Sequence, residues 1–538
     1  MEHGTRLTLA VTTAAEAAAR DGEAITGGIP SFQLMHRAGA VAARVIRHEY
    51  ADRLAEGVVC YAGPGNNGGD AWIVAAELAR TGISVRVVAT GAPRAADAQR
   101  AAAEAAPLVA TDPPSGREQL VVDGLLGTGH RGALRETVAA ACAQLEAARR
   151  RGARIVALDL PSGLDATTGE LAPGTVPAHL TVTFGTIKRG LLLQRATAGR
   201  LVVADIGLGA HGSPDGRDGA WRYDSPASLS TLLPPIAWNA HKGTRGRVAF
   251  VGGQVGMAGA IAWAARGALR SGAGLVRVAV EPPSLAPLQT LVPQATAVGW
   301  EAFRTGVVPE DGGDALVPER FDAVAIGPGL GRTDYVLALL EHAVWSYAHT
   351  PLLLDADALT LVAHAAREQR IDVRDVLASW AASRPALVCT PHPGEFQRLL
   401  GAPVPADWEA RAEHVLTFAR DAGITLLLKG APTLVASPRD EPLHVVPHGT
   451  PLLATGGSGD LLTGITTTLL AQGMAGPEAA VMGATVHGLA AEVATARLGG
   501  IRGGTLDAVL EAVPAAWRTI EAPASLPPDW LAAFPGPS

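Results

Sequence analysis

The chain has 538 residues, of which 48% are hydrophobic and 18% are charged, and its formal net charge is −7. This length exceeds what one hydrophobic core usually organises, so we expect two sizeable domains. The negative charge argues against a broad surface that binds nucleic-acid phosphates, and three scattered cysteines, Cys60, Cys142 and Cys389, argue against a disulfide scaffold.

The sequence contains no recognisable targeting signal. Residues 1–11 lack a basic segment followed by an apolar core, and apolar stretches elsewhere are interrupted before about 18 residues by glycine, proline or charge. We therefore predict a cytoplasmic protein with no membrane partner and no nucleic-acid partner. We also expect a homo-oligomer.

The first half of the chain alternates short apolar stretches with helical patterns. Strands are predicted at 57–63, 85–89, 120–123 and 154–158, and a helix at 70–80. Short apolar strands separated by helices predict a parallel sheet that is covered on both faces. The fold class expected for this half is α/β, as a three-layer αβα domain with a Rossmann-like sheet.

A segment rich in glycine, aspartate, arginine and proline, His211 to Asp224, marks the predicted domain boundary. We assign residues 1–222 to the first domain and 223–538 to the second. The second domain is also expected to be αβα, with strands at 247–251, 323–326, 352–354, 386–389 and 425–428. Its proline-rich end, residues 524–538, is expected to be a loose tail.

Lysine is rare in this sequence. Only Lys188, Lys242 and Lys429 are lysines among 44 basic residues. Arginine cannot replace lysine where a compact ammonium must fit a tight site, so the remaining lysines are candidates for functional roles. Chance survival is the alternative explanation for each of them.

Three loops of the first half directly follow predicted strands. They are GPGNNGGD at 63–70, DGLLGTG at 123–129 and DLPSGLD at 159–165. Functional groups of open α/β sheets gather at the carboxyl ends of strands, and the N–H groups of the first loop can hold a phosphate. Strand 85–89 runs into Thr90 and Gly91 instead of an acidic residue, which disfavours a hydride-transferring dehydrogenase. Taken singly, each strand-end aspartate is also typical of a helix cap or turn.

These motifs, with LMHRAG at 34–39 and TFGTIKRGL at 183–191, resemble the NAD(P)H-hydrate epimerase family over about residues 12–208. The resemblance implies potassium bound by Asn67, Asp123 and Ser162, whose oxygen atoms suit a hard cation. It also implies a hydrated dinucleotide held by two loops and Asp159, with the loop residues Asn66, Asn67, Gly68, Gly69, Asp70, Gly127, Thr128, Gly129, His130, Arg131, Gly132 and Ala133.

Asp159 is the predicted catalytic residue of this cleft. In our hypothesis it exchanges a proton at the hydrated ring, so that hydroxide leaves and returns on the opposite face. Lys188 either steadies the phosphates or is an ordinary surface lysine.

Glycine-rich or charged segments also close the five predicted strands of the second half, at 252–260, 327–331, 355–359, 390–395 and 429–433, and a last one, at 454–460, precedes an apolar helical run. In the last of them the glycines form a nest of N–H groups for phosphoryl oxygens, and Asp460 can take a hydroxyl proton. A plain turn with a capping aspartate is the alternative. His392 lies between two prolines and is either a ligand contact or a structural residue.

The ordered motifs HKGTRGRV, GPGLG, DADAL, TPHPGEF, KGAPT and GGSGD resemble the ADP- or ATP-dependent NAD(P)H-hydrate dehydratases, which are ribokinase-like, across about 229–517. One departure is Thr450-Pro451-Leu452, where the family usually has an Asn-Pro-Gly-like turn. The resemblance implies magnesium, hydrate contacts at Ala260, Gly329, His392 and Asp460, and nucleotide contacts at Lys429, Gly430, Ala431, Pro432, Thr433 and Gly459.

Together the resemblances predict a bifunctional isomerase and lyase. It would interconvert the R and S forms of NADHX and NADPHX and dehydrate the S form to NAD(P)H, with ADP as co-substrate and AMP and phosphate as products. Asp460 would activate the ring hydroxyl for phosphoryl transfer, and the phosphate would then leave with loss of a ring proton. The alternatives are a small-molecule kinase, for example of a vitamin precursor, fused to a Rossmann-like nucleotide-binding domain, and a first half that only senses nucleotide or RNA.

Overall fold

The computed structural model describes residues 8–208, 221–305, 307–309, 316–318 and 320–536. The chain divides between Ser225 and Pro226 into two compact units, close to the predicted boundary after residue 222. Most of the boundary segment, 209–220, lies outside the described residues. The N-terminal domain is named here for residues 7–225 with 524–537, and the C-terminal domain for residues 226–523.

The N-terminal domain contains ten strands and seven α-helices in the described residues. The strands are β1 Thr8–Thr12, β2 Val58–Ala62, β3 Val85–Ala89, β4 Leu120–Gly124, β5 Arg154–Leu158, β6 Leu180–Phe184, β7 Ile187–Lys188, β8 Arg200–Ala204, β9 Trp221–Asp224 and, at the end of the chain, β21 Trp530–Phe534. The helices are α1 Ala14–Thr26, α2 Ser31–Glu49, α3 Asn66–Arg80, α4 Ala96–Ala105, α5 Glu136–Arg150, α6 Arg189–Leu193 and α7 Arg195–Ala198.

Seven of these strands form one sheet in the order β21-β8-β6-β5-β4-β2-β3, which is parallel except for β21. Strand β2 shows why the sheet lies between two helical layers. Val58, Cys60 and Ala62 pack with α2 and α3, whereas Val59 and Tyr61 pack with α5. A strand that is apolar on both faces must be covered twice, so the predicted three-layer α/β arrangement is confirmed. A second group joins β9, β1 and β7.

The end of the chain differs from the predicted loose tail. Strand β21 pairs antiparallel with β8, and its residues Trp530 and Phe534 are buried in the N-terminal domain. Phe534 packs against Tyr223, with a distance of 4.8 Å between ring centroids. Burial of two large aromatic side chains outweighs the local signal of the proline-rich sequence around them.

The C-terminal domain contains eleven strands and twelve α-helices in the described residues. The strands are β10 Arg247–Val251, β11 Leu275–Val280, β12 Thr296–Gly299, β13 Val307–Pro309, β14 Leu316–Pro318, β15 Ala323–Ile326, β16 Leu352–Leu354, β17 Leu387–Cys389, β18 Thr425–Leu428, β19 Thr433–Ala436 and β20 Leu443–Val446. The helices are α8 Pro226–Ser230, α9 Ala258–Arg270, α10 Leu285–Leu291, α11 Trp300–Thr305, α12 Asp334–Ser346, α13 Asp357–Gln369, α14 Val373–Ala381, α15 Pro393–Leu400, α16 Trp408–Asp421, α17 Ser458–Ala471, α18 Gly476–Leu498 and α19 Leu506–Glu521.

Nine strands of this domain follow the order β12-β11-β10-β15-β16-β17-β18-β19-β20. The pairs are parallel from β12 to β18 and antiparallel from β18 to β20. Strand β18 is buried at all four positions and packs against both α16 and α18. The carboxyl ends of β15 to β18 therefore lie side by side at one edge of the sheet, where the predicted motifs begin.

Helix α18 is the one described helix that is long and apolar enough to cross a membrane by length and composition. Its most apolar window is 83% buried within the protein. A core helix of a globular domain meets the same criteria, and the apolar residues of α18 pack in the core of the C-terminal domain.

Replacing Phe534 by alanine tests the attachment of the C-terminal segment. Because Phe534 is 1% exposed, Phe534→Ala should lower the free energy of unfolding of the N-terminal domain by about 3–5 kcal/mol. Urea titrations followed by circular dichroism would measure this loss. The matched control is Leu526→Ala, because Leu526 lies in the same segment and is 39% exposed. Equal effects of the two substitutions would contradict the observed packing.

Candidate functional site

A cleft of about 1380 Å³ opens at the carboxyl edge of the N-terminal sheet. Residues of α1, α3 and the loops after β4 and β5 contribute to its wall. Ten of the predicted binding residues line it, namely Asn66, Asn67, Asp70, Gly127, Thr128, Gly129, His130, Arg131, Ala133 and Asp159. The structure thus brings together loops that are distant in sequence, and their contact with a ligand stays a prediction.

Gly68, Gly69 and Gly132 are not in the cleft lining. A Cβ atom on Gly68 would lie 1.8 Å from the carbonyl oxygen of Gly63, so the absence of a side chain allows α3 to approach β2. Helix α3 begins at Asn66, four residues before the predicted start at Asp70. The segment predicted as a loop is therefore the first turn of the helix, and its N–H groups can still serve an anion.

Asp159 follows β5 and carries the central charge pair of this cleft. The Lys188 Nζ atom lies 2.6 Å from Asp159 Oδ1, and the Lys188 side chain is only 4% exposed. Thr183 Oγ1 donates a hydrogen bond of 3.1 Å to the same carboxylate oxygen. Asp159 also has φ of 64°, a left-handed conformation that costs a non-glycine residue about 1–3 kcal/mol. Backbone strain that is retained at a residue of a buried ion pair indicates that the position of the Asp159 carboxylate matters for function.

Lys188 is not a surface lysine. Its ammonium donates to Thr183 Oγ1 at 3.2 Å and to the Phe184 carbonyl at 2.8 Å in addition to the ion pair with Asp159. The proposed alternative role, steadying phosphates, is untested, but these contacts show that Lys188 orients the Asp159 carboxylate.

The three residues predicted to bind potassium meet below the same loops. The Asp123 carboxylate accepts hydrogen bonds from Ser162 Oγ at 2.6 Å and from the Ser162 N–H at 2.8 Å. The Asn67 side-chain nitrogen donates to the Leu126 carbonyl at 2.8 Å, whereas the buried Asn67 Oδ1 has no hydrogen-bond donor in the described part of the chain. Leu126 links the two groups, because its N–H also donates to Ser162 Oγ at 2.9 Å. An orphaned amide oxygen and a buried carboxylate that contact the same loop fit a cation with oxygen ligands.

Asp70, on α3, is a second buried carboxyl group in the cleft. It is 9% exposed. Burial raises the pKa of Asp70 well above its usual range, the carboxylates of Asp159 and Asp21 raise it further, and the Lys188 ammonium opposes them. Asp70 therefore favours its neutral form more strongly than an exposed aspartate does.

A second lysine–aspartate pair organises the C-terminal domain. Lys429 follows β18, and its Nζ atom lies 2.6 Å from Asp355 Oδ1 at the end of β16. Thr463 on α17 donates a hydrogen bond of 2.8 Å to the other oxygen of Asp355, which is 1% exposed. A Cβ atom on Gly459 would lie 2.9 Å from Lys429 Nζ, so glycine lets the ammonium reach the first turn of α17.

Asp460 lies in the first turn of α17, close to this pair. Burial raises its pKa to about 7, the carboxylates of Asp355 and Glu395 add to the effect, and Lys429 opposes it. A carboxyl group with a pKa near neutrality can both accept and release a proton at physiological pH.

The other predicted residues of the C-terminal domain lie in loops at the same edge. A Cβ atom on Gly329 would lie 3.2 Å from the Ala260 Cβ atom, so these two residues are neighbours. The Thr433 hydroxyl donates to the Gly430 carbonyl at 3.1 Å, which closes the turn formed by residues 430–433. Their binding of substrate or nucleotide stays a prediction.

His392 has a structural role in this fold. It is the N-cap of α15, and its Nδ1 atom accepts a hydrogen bond of 3.0 Å from the Gly394 N–H. Its Nε2 atom lies 3.4 Å from Glu395 Oε1, while 53% of the side chain is exposed. The exposed part leaves room for a ligand, and that contact is untested.

Thr450, the departure from the family pattern, caps a short helical turn at Pro451–Leu453. Its hydroxyl lies 2.8 Å from the Thr495 hydroxyl and accepts a hydrogen bond from the Leu452 N–H at 3.3 Å. Threonine therefore stabilises the turn with a side-chain cap in place of the asparagine that is usual there.

Sequence reasoning missed the partners of the charged residues. Asp355 was visible within the DADAL motif, but the pattern did not show that it pairs with Lys429. Asp21, on α1, lines the N-terminal cleft although no motif surrounds it. The scarcity of lysine was the usable signal, since two of the three lysines form these pairs.

Two α/β domains, each with charged groups at the carboxyl edge of a parallel sheet, define a class of nucleotide-handling enzymes. Residues 31–190 match the family described as YjeF-related protein N-terminus, and residues 248–513 match the family NAD(P)H-hydrate dehydratase. The matches cover the two domains in the predicted order.

Similar proteins span both domains. The bifunctional NAD(P)H-hydrate repair enzyme Nnr of Moorella thermoacetica is 34% identical over 92% of this chain and 93% of its own length. The enzyme of the same name from Escherichia coli K12 is 36% identical over 88% of this chain and 87% of its own. The chain therefore belongs to the family of bifunctional NAD(P)H-hydrate repair enzymes.

Solved structures resemble the C-terminal half. An ADP/ATP-dependent NAD(P)H-hydrate dehydratase from Bacillus subtilis, crystallised with ATP and Mg²⁺, is 28% identical, covers 55% of this chain and 98% of its own, and has a TM-score of 0.46. A ribokinase-like superfamily protein from Enterococcus faecalis is 25% identical, covers 56% of this chain and 98% of its own, and has a TM-score of 0.46.

Replacing Asp355 by alanine tests whether the buried pair stabilises the C-terminal domain. The substitution leaves Lys429 without its carboxylate, and Asp355→Ala should lower the free energy of unfolding by about 3 kcal/mol. Urea unfolding would measure the loss. The matched control is Asp507→Ala, because Asp507 forms a more exposed pair with Arg266 and should contribute only about 0–1 kcal/mol. A loss at Asp355 no larger than at Asp507 would contradict this role.

Proposed function

We propose that the protein repairs hydrated nicotinamide dinucleotides. The N-terminal domain interconverts the R and S forms of NADHX and NADPHX, and the C-terminal domain dehydrates the S form to NADH or NADPH with consumption of ADP. The observation that carries the proposal is the presence of a buried lysine–aspartate pair at a strand-end site in each domain of a chain that is similar to bifunctional repair enzymes over both domains. The two activities belong together because hydration of the ring produces two epimers and a stereospecific dehydratase consumes only one.

In the N-terminal cleft, Asp159 is the group that exchanges a proton at the hydrated ring. Lys188 and Thr183 hold its carboxylate in one orientation before the substrate binds. The entropic cost of orienting this group is therefore met by folding and does not add to the barrier of the reaction. The first turn of α3 and the loop at 127–133 hold the phosphates and the ring. Departure and return of the hydroxyl group at the carbinol carbon then invert its configuration.

Potassium is proposed to bind at Asn67, Asp123 and Ser162. It would supply a fixed positive charge beneath the loops that hold the dinucleotide. The buried, unpartnered Asn67 Oδ1 atom supports this ligand set. Asp123 keeps the Ser162 hydroxyl and N–H in place, and this orders the loop that follows Asp159.

At the C-terminal site, Asp460 accepts the proton of the ring hydroxyl as the terminal phosphoryl group of ADP is transferred to that oxygen. Lys429 and the N–H groups at the start of α17, including that of Gly459, would hold the phosphoryl oxygens. This transfer releases AMP. The resulting phosphate ester then loses phosphate and a ring proton, which restores the dihydronicotinamide. Phosphate leaves far more readily than hydroxide, and this difference is the reason for consuming a nucleotide.

Magnesium would enter with the nucleotide. Magnesium usually keeps several waters and needs only one or two protein carboxylates besides the phosphates. The described residues contain no group of three His, Cys, Asp or Glu side chains placed to hold a metal ion, so nucleotide phosphates and water would supply most of the ligands. The carboxylates that act on Lys429, those of Asp355, Glu395 and Asp460, would contribute one or two ligands at most. Bound there, magnesium would neutralise charge on the phosphoryl oxygens.

A kinase of a vitamin precursor, the alternative activity, is not favoured, since the similarity to repair enzymes extends over both domains. We also expect a cytoplasmic homo-oligomer that has no nucleic-acid or membrane partner.

Asp460→Asn tests the dehydratase assignment. The variant should lose ADP-dependent recovery of reduced-nicotinamide absorbance by about 10²–10⁴-fold, because an amide cannot accept the hydroxyl proton. Epimerisation, followed by chromatography of the two hydrates, should be unchanged. In the wild type, activity should be present above a pH of about 7 and should fall as the pH falls through the pKa of Asp460.

The matched control is Asp507→Asn, because Asp507 also lies in the first turn of a helix of this domain but is exposed. It should keep both activities. Simultaneous loss of both activities in Asp460→Asn would count against separate sites.

Asp159→Asn tests the epimerase assignment in the same way. It should slow interconversion of the hydrates by about 10²–10⁴-fold while the variant still dehydrates purified S hydrate with ADP. Asp52→Asn, an exposed aspartate of the same domain, serves as the control. Wild-type epimerisation in Asp159→Asn would refute the assigned role.

A further inference from the structure

Asp70 is a buried carboxyl group that the mechanism above does not use. It lies on α3, is 9% exposed and lines the N-terminal cleft. Within the described residues its side chain has no hydrogen bond and no ion pair, in contrast to Asp159, Asp123 and Asp165. The Asp70 side chain therefore reaches the cleft without a partner from the protein, and it is available to a ligand that binds there.

The charges around Asp70 oppose its ionisation. The groups that act on it are Asp159 after β5, Asp21 on α1 and Lys188 on β7. The ammonium is already paired with Asp159 at 2.6 Å, so Asp70 faces two carboxylates without a cation of its own. Helices α2 and α4 also pack on α3. Their residues nearest to Gly69, which directly precedes Asp70, are Met35 and Ala98, and neither is charged. The neutral carboxylic acid is the form that this position favours.

Inversion of a carbinol carbon through loss of its oxygen requires two groups. One must donate a proton to the departing hydroxyl, and the other must take a proton from the water that returns. Asp159, paired with the Lys188 ammonium at 2.6 Å, suits the second task. Asp70 lies on α3, a different element of the cleft wall. In its neutral form it carries the proton needed by the departing hydroxyl. Pairs of carboxyl groups whose environments separate their protonation states commonly divide acid and base roles.

We propose that Asp70 is the general acid of epimerisation and that Asp159 is its general base. The proposal rests on the epimerase function proposed above and assigns the second proton carrier of the same site. It also gives Asp70 a task beyond the holding of the dinucleotide.

The Asp70 proton passes to the carbinol oxygen, the carbon–oxygen bond breaks with its electron pair on the departing water, and the ring-nitrogen lone pair forms a carbon–nitrogen double bond. A second water then adds to the same carbon from the opposite face, the double-bond electrons return to nitrogen, and the Asp159 carboxylate takes the proton. Solvent carries that proton back to Asp70, and in the reverse direction the two residues exchange roles.

Asp70→Asn tests the proposal with a side chain of nearly the same size. We expect kcat for epimerisation to fall by about 10²–10⁴-fold while KM stays within about threefold, because an amide can still contact the ligand but cannot supply the proton. A rise in KM with unchanged kcat would mean that Asp70 only binds the dinucleotide, and it would overturn the proposal. Asp52→Asn is the surface control and should match the wild type.

The pH profile separates an acid from a structural residue. Wild-type kcat/KM should fall at high pH, as Asp70 loses its proton, and Asp70→Asn should lack this fall in its residual activity. Asp21→Asn should move the fall to lower pH, because the Asp21 carboxylate raises the pKa of Asp70. Persistence of the alkaline limb in Asp70→Asn would contradict the proposal.

A labelling experiment on the wild type keeps the test independent of how the variants fold. In water enriched in the heavy oxygen isotope, each inversion should place one labelled oxygen on the carbinol carbon. Inversion without incorporation would indicate opening of the ring at nitrogen and would overturn the acid role. A wild-type protein that interconverts no hydrates at all would instead refute the proposed function.

Discussion

Each domain holds a lysine ammonium 2.6 Å from an aspartate carboxylate at the end of a buried parallel strand. These two ion pairs are the interactions on which both sites depend. Lys188 is 4% exposed and Lys429 is 22% exposed, so neither charge is well solvated without its partner. Arginine is larger and planar, and it could not occupy the same space beside Thr183 or Gly459. This restriction gives a physical reason for lysine at these two positions in a chain that has only one other lysine, Lys242.

The parallel sheets determine where such pairs can form. Strands buried on both faces leave little room for charged groups along their length, so such groups lie at or just after the carboxyl ends of the strands. Asp159 follows Leu158, Asp355 follows Leu354 and Lys429 follows Leu428. Neighbouring strands then bring these residues together, and the first turns of α3 and α17 add N–H groups at the same edge. The strand ends therefore place acid–base groups, and the helix starts place phosphate-binding N–H groups, at the same edge of each sheet.

Much of this arrangement could be predicted from the sequence. The predicted strands at 85–89, 154–158, 247–251, 323–326, 352–354 and 425–428 coincide with the observed ones, because short apolar runs bounded by glycine or charge leave little freedom in their ends. The same reasoning placed the loops of both clefts at strand ends, and the family that these loops resemble is confirmed.

Other features depend on contacts between distant residues and could not be read from local patterns. Strand β21 is stabilised by β8 and Tyr223, hundreds of residues away in the chain, so its proline-rich surroundings were misleading. The first turn of α3 contains two adjacent glycines, which are poor helix formers, yet close packing against β2 holds it helical. The pairing of Lys188 with Asp159 and the isolation of Asp70 likewise emerge only in three dimensions. The roles proposed for these residues depend on their burial and on the charges near them, and neither can be read from composition.

We propose that the two sites of this chain cooperate, one inverting and the other dehydrating the same hydrated ring. Purified wild-type protein can be supplied with an equal mixture of R and S hydrates, magnesium, potassium and excess ADP while reduced nicotinamide and AMP are followed together. Both epimers should be converted, with one AMP formed for each reduced dinucleotide. Conversion that stops when the S hydrate is exhausted, or that proceeds without formation of AMP, would contradict the proposal.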